Sequence, residues 1–149
     1  MISRDPRPFM IVVSVIALLA PIAAQASGLV SVQQSDGSTQ SYQRVGMKLV
    51  GRTVFLSSPN RKDVLEIATD ACSYPAGVER CLPYATTLHR GGRSHLIPMD
   101  RGAVYLNLTN DVEHLPHSSR ILEPQHVLVH LHTMRGTYIS ADGKLDVTK

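Results

Sequence analysis

Three histidines alternate along one short segment of this 149-residue chain, His126-Val127-Leu128-Val129-His130-Leu131-His132. In extended backbone successive side chains point to opposite faces. His126, Leu128, His130 and His132 therefore share one face, while Val127, Val129 and Leu131 share the other and form its core side. Residues two apart on one face are separated by roughly 7 Å of strand rise, close enough for two imidazoles to converge on one ion. His-x-His on a strand is thus a half-site for zinc or copper. Met134 continues the parity of His132 and adds a soft thioether suited to Cu(I). Further ligands are on offer from His89, His95 and Met99, and from His114-Leu115-Pro116-His117. Against a metal stands a simpler expectation: a half-solvated strand needs polar residues on its wet face, and histidine serves there. No cysteine thiolate or carboxylate adjoins these histidines in sequence to complete a ligand shell. All seven histidines fall between His89 and His132, so this half of the chain gains charge below about pH 6.

His132-Thr133-Met134 resembles the late His-x-Met of the periplasmic Cu(I) chaperones, which are small exported β-sandwiches. The resemblance implies Cu(I) held by His132 and Met134 with an earlier pair, His89 and Met99. It covers those residues and the general shape alone, the spacing between the pairs departs from the family's, and it does not assign the chain to that family.

Catalytic patterns are missing. The sequence has neither a Gly-x-Ser-x-Gly nucleophile elbow nor a His-Glu-x-x-His zinc helix. Asp63, Glu66, Asp70 and Glu79 are close in sequence, but a glycosidase needs two carboxylates facing one cleft, and a solvated acidic edge accounts for them better. The net charge is +3 at pH 7 with neutral histidines, without a run of like charges. With no Trp and only two Phe, the chain offers neither the basic face nor the stacking platforms that nucleic acid demands.

Positioning these groups falls to whatever remains after the first 26 residues. Arg4 and Arg7 precede an apolar run from Phe9 to Ala20, broken only by Ser14, and Ala24-Gln25-Ala26 follows. That is the pattern of a secretory signal peptide with cleavage between Ala26 and Ser27. The run is shorter than the roughly 20 residues of a spanning helix, and Pro21 interrupts it. The mature chain is therefore expected in the periplasm or secreted, with no membrane span. Residues 27–149 suffice for one domain. Cys72 and Cys81 read as a disulfide in that oxidising setting, because metal and redox pairs favour two intervening residues and here there are eight. The bridge would make Ser73 to Arg80 a stapled, projecting loop, a candidate for contact with a partner.

Period-two patterns and turn dipeptides dominate from Gly28 onward. Leu29, Val30 and Val32 open a strand ending at Asp36-Gly37-Ser38, with Tyr42 to Val45 as its hairpin partner. Met47 to Ser57 reads as one long strand, and Val64, Leu65 and Ile67 begin another. Tyr84 to Arg90 and Ser94 to Met99 flank Gly91-Gly92, a two-residue hairpin loop. Ala103 to Leu108 is the cleanest strand. Asn107-Leu108-Thr109 matches a glycosylation triplet by chance. Asn110 to Pro124 reads as a polar connection crossing between sheets. Gln125 to Thr133 and Thr137 to Ser140 pair across Arg135-Gly136, and Asp142-Gly143 turns into Lys144 to Val147. About 8–10 short antiparallel strands at this spacing predict an all-β domain, a β-sandwich (immunoglobulin-like) or small barrel, over residues 27–149. The expected role is non-catalytic binding of a protein or cell-envelope partner. The alternative is periplasmic copper or zinc binding through His126, His130, His132 and Met134.

Overall fold

A computed structural model describes residues 26–73, 79–108 and 125–148. The expected signal segment, the tip of the stapled loop (74–78), and the 109–124 connection with His114 and His117 lie outside the described residues. Every regular element described is a strand. In chain order these are β1 Ser27–Gln33, β2 Thr39–Val50, β3 Thr53–Ser57, β4 Asp63–Ser73 and β5 Glu79–Arg90. They continue with β6 Arg93–Leu96, β7 Met99–Asn107, β8 His126–Thr133, β9 Tyr138–Lys144 and β10 Asp146–Thr148. No helix long and apolar enough to cross a membrane occurs among the described residues.

The strands close into a barrel, not a sandwich. The hydrogen-bonded order runs β1-β9-β8-β7-β5-β4-β3-β2, and β2 pairs back onto β1, so eight antiparallel strands form one ring. Alternation of apolar and polar residues is common to sandwiches and barrels; the difference lies in whether the last strand finds the first. Here β1 pairs with β2 on one edge and β9 on the other. The two remaining strands extend the wall where neighbours stop short. β10 runs parallel to Lys48–Val50 of β2, beyond the end of β1, and β6 pairs with the last residues of β5, beyond the part of β5 that reaches β7. Since β7 and β8 are adjacent in the ring, the 109–124 segment joins neighbouring strands and does not cross between sheets.

Glycines set some corners as the sequence predicts and others differently. The Met47 to Ser57 run is broken at Gly51, which has φ +62°, into the ends of β2 and β3. Gly91 and Gly92, at φ +60° and +74°, make the expected hairpin loop between β5 and β6. Asp142-Gly143 is not a turn. Both residues lie inside β9, with Gly143 paired to Gly28 on one side and Val127 on the other. The Ser94 to Met99 run likewise divides at Ile97-Pro98, because proline cannot donate to a ladder. A bulge in β2 sets Gln43 and Arg44 against Leu29, with Arg44 at φ +58°. Extra residues of this kind bend a strand sharply, and here the bend carries β2 from its β1 partner to β3.

One half of the barrel is filled by side chains. Met47, Val104, Val127 and Val129 are fully buried together. Met47 occupies the space left by Gly28 and Gly143, where an added Cβ would meet the methionine at 2.6 and 2.5 Å. Buried threonines are satisfied at corners: Thr69 Oγ1 donates to the Arg52 carbonyl at 2.6 Å, and Thr133 Oγ1 accepts from the Thr137 amide at 3.0 Å. Cys72 and Cys81 are bonded and face each other directly across β4 and β5. The bridge therefore staples one hairpin, and Ser73 and Arg80 pair with each other at its neck.

Candidate functional site: an open barrel mouth and a histidine face

Val127, Val129 and Leu131 point into the barrel at zero exposure, as the alternation requires. His126, Leu128, His130 and His132 are on the outer face, where all four are half-buried instead of wet. The covering comes from neighbouring strands. Tyr138 of β9 lies opposite His132 and stacks on it, ring centroids 4.6 Å apart and 17° from parallel. The Tyr138 hydroxyl is hydrogen-bonded to His130 Nδ1. Tyr105 of β7 meets His130 edge-on at 6.3 Å, and Arg80 lies 5.9 Å above the Tyr105 ring. Burial, and then the neighbouring His132, hold His130 below the usual histidine range, with Asp142 opposing.

His126 Nε2 donates to the Asp142 carboxylate, while its buried Nδ1 has no partner among the described residues. A carboxylate holding one imidazole nitrogen fixes the tautomer and leaves the other as an acceptor, the arrangement metal ligands use. Among the described residues, no group of three His, Cys, Asp or Glu ligand atoms within 4.8 Å of one another includes any of these histidines. Met134 is in the exposed turn after β8, its amide bonded to the Pro98 carbonyl at 3.0 Å. His89 is committed on both nitrogens, to Glu66 at 3.1 Å and Ser94 at 2.9 Å. Met99 accepts from the buried Thr86 hydroxyl inside the barrel, away from the outer histidines.

The set that does converge is Cys72, Glu79 and Cys81. Both sulfurs are in the disulfide, so neither is a thiolate. Arg52 supplies the countercharge, its Nη1 2.8 Å from Glu79 Oε1. This cluster ties the β2–β3 corner to the stapled hairpin. The other carboxylates separate too: Glu66 faces outward to His89, and Asp63 sits at the barrel rim against Arg90 Nη2 at 3.1 Å. That hydrogen bond and the charge of Asp63 raise the Arg90 pKa above its ordinary value. Asn107, of the glycosylation triplet, has zero exposure.

The residues that sequence reasoning missed line the other half of the barrel. A cavity of about 600 Å³ opens at the rim where β1, β3 and β8 end and β2, β4 and β9 begin. Its wall is aliphatic: Val30, Val32, Leu56, Leu65, Leu88 and Ile139, each from a different strand except for the two valines of β1. Leu96, Ile97 and Pro98, where β6 leaves the wall toward β7, form one lip. Tyr42 is the one Phe, Tyr or Trp ring among the lining residues. Its charged lining residues are Asp63, Arg90 and Arg135, with His95 beside them. The rim's connections are short and described: 34–38, 58–62, 91–92, 97–98 and 134–137. The strand ends Ser73, Glu79, Asn107 and His126 lie at the opposite rim. Eight strands give an interior that side chains just fill or that holds one small ligand, and this barrel has one half of each kind. Comparison with known protein families, curated proteins and solved structures gives no match.

Proposed function

We propose that the protein is an exported, non-catalytic binding protein whose open barrel mouth takes the apolar part of a small amphiphilic molecule. The observation that carries this reading is the aliphatic cavity of about 600 Å³. It is within the roughly 300–1,000 Å³ of small-molecule sites, which are apolar with a few placed polar groups. Export rests on the amino-terminal signal pattern and agrees with the Cys72–Cys81 bridge. Non-catalytic binding is favoured because the mouth presents a single carboxylate, Asp63, already paired with Arg90. An amphiphile is also the kind of molecule a cell envelope supplies, which brings the mouth into line with an envelope partner. A copper or zinc site on β8 has weaker support, since His126 and His130 are engaged by Asp142 and Tyr138.

The test is titration with a neutral, polarity-sensitive dye such as N-phenyl-1-naphthylamine. It compares the wild type with Leu88→Asp in the wall and Leu82→Asp, an exposed leucine off the cavity. Saturable one-site binding that Leu88→Asp abolishes and Leu82→Asp retains is expected. Binding that ignores Leu88→Asp, or none at all, removes the proposal.

A further inference from the structure

The charges at the mouth go further than its apolar wall. The Asp63–Arg90 pair neutralises itself at 3.1 Å. That leaves Arg135, which makes no hydrogen bond or ion pair among the described residues, and His95 beside it on the lining. The rim is therefore positive over an apolar well. Its wall is branched aliphatic on every contributing strand but β8, which adds Thr133, and its rings are confined to Tyr42 and the His95 imidazole, so a flexible alkyl chain fits better than a planar aromatic, which would look for stacking faces. Resting on the reading of the mouth as a ligand site, we infer that the ligand is a single-chain amphiphile with an anionic head, a carboxylate or a phosphate. Its chain enters between Val32, Leu65 and Leu88, and its head meets the guanidinium of Arg135. Arginine suits that role because its fork matches carboxylate and phosphate oxygens in pairs. Asp63 acts as a restraint, occupying Arg90 so that one guanidinium and not two faces the head.

The experiment displaces the neutral dye from the full chain at pH 7.5 with four ligands of equal chain length: a fatty acid, an alkyl phosphate, the fatty alcohol and the alkylamine. The proteins are wild type, Arg135→Gln, Asp63→Asn, and Lys48→Gln as a cation outside the cavity. The acid or the phosphate should bind about three- to tenfold tighter than the alcohol, the range set by one arginine partner at a solvent-exposed rim. The amine should be weakest. Arg135→Gln should bring the anions to the level of the alcohol, Lys48→Gln should change nothing, and Asp63→Asn should tighten the anions by freeing Arg90. Preference for either anion, lost in Arg135→Gln, supports the inference and identifies the head group. An alcohol that binds as tightly as the acid and the phosphate overturns it while leaving the mouth a ligand site. If no ligand displaces the dye, the reading of the mouth itself fails.

Discussion

Replacing Gly143 by alanine adds one methyl group to the filled half of the barrel, and the structure leaves no room for it. The new Cβ would lie 2.5 Å from Gly28 Cα, 2.5 Å from Met47 Sδ and 2.7 Å from the Ser27 carbonyl. A methionine alone would swing aside, but Met47 is 1% exposed and packed within the core. The other two contacts are backbone atoms of β1, held by pairing to β9 and β2. Overpacking a filled core costs about 1–3 kcal/mol and more when backbone must shift, so a loss of about 3 kcal/mol is expected. At roughly 3–5 °C per kcal/mol for a domain of this size, the thermal midpoint should fall by roughly 10–15 °C. Gly46→Ala is the internal control. Its Cβ would meet only Ser57, at 3.7 and 3.9 Å, and reduced freedom of the unfolded chain should make it neutral or stabilising by up to about 1 kcal/mol. Thermal and urea unfolding followed by far-ultraviolet circular dichroism compare the two variants, with Gly143→Ala/Met47→Ala beside them. Removing the sulfur leaves both backbone contacts, so the double variant should be no more stable than Gly143→Ala. A Gly143→Ala protein within about 0.5 kcal/mol of wild type, or a Gly46→Ala protein equally destabilised, would show that close approach of β1 and β9 is not what glycine serves here.

Met47→Ala alone should cost about 2–5 kcal/mol in urea unfolding, since a fully buried side chain leaves a cavity behind. Replacing both Cys72 and Cys81 by serine should cost about 2–3 kcal/mol, the chain-entropy value for a short loop, read from the same titration in oxidised and reduced wild type. Arg44→Gly should cost nothing and gain up to about 1 kcal/mol, because the left-handed φ of +58° burdens arginine and not glycine; a clear loss would mean the arginine side chain holds the bulge. His130 is held below its ordinary value of 6.5 chiefly by burial, so on acidification the unfolded chain takes up its proton first. Its contribution to stability is therefore whole above about pH 6.5, falls as pH drops below that, and levels off beneath the folded pKa. Urea midpoints from pH 8 to 5 should show a decline in wild type that is smaller in His130→Gln; identical profiles would refute it.

Local rules carried the reading of this sequence as far as strands and their faces, and stopped where the ring closes. The parity of β8 was legible because alternation depends on nothing but extended backbone, and Val127, Val129 and Leu131 are buried accordingly. The state of the opposite face was not, because its covering comes from Tyr105 and Tyr138 on neighbouring strands. The disulfide was legible from an even cysteine pair whose eight intervening residues suit neither a metal nor a redox pair. The Gly91-Gly92 doublet was legible as a hairpin loop, but single glycines were ambiguous: Gly51 turns through a positive φ, while Gly143 sits mid-strand to admit β1, and the letter is the same in both. Asp142-Gly143 therefore imitated a turn. The mouth left no local trace at all, since its wall gathers aliphatic residues from separate strands, and each is indistinguishable in sequence from a core residue.

The asymmetry between the barrel's halves is itself an argument for a ligand. A barrel of this girth can fill its interior with side chains, and the half around Met47 does so. At the other rim Leu65 and Leu88 stay partly exposed around open space, and their unmet faces forgo the dispersion contacts that packed neighbours would provide. Larger side chains at Val30 and Val32 would fill part of that space, yet both positions hold valine. The surrounding turns are tight: Gln34 and Ser38 close the first by a 2.8 Å backbone bond, with Asp36 bonded to the Ser38 amide and hydroxyl, and two left-handed glycines make another. Such turns hold the rim open without collapse into the well. An interior that departs from full packing on one side only, inside a wall otherwise consistent at every strand, is where a functional site is expected. The bridge and the glycine-seated methionine at the far end maintain the fold while the mouth stays unfilled.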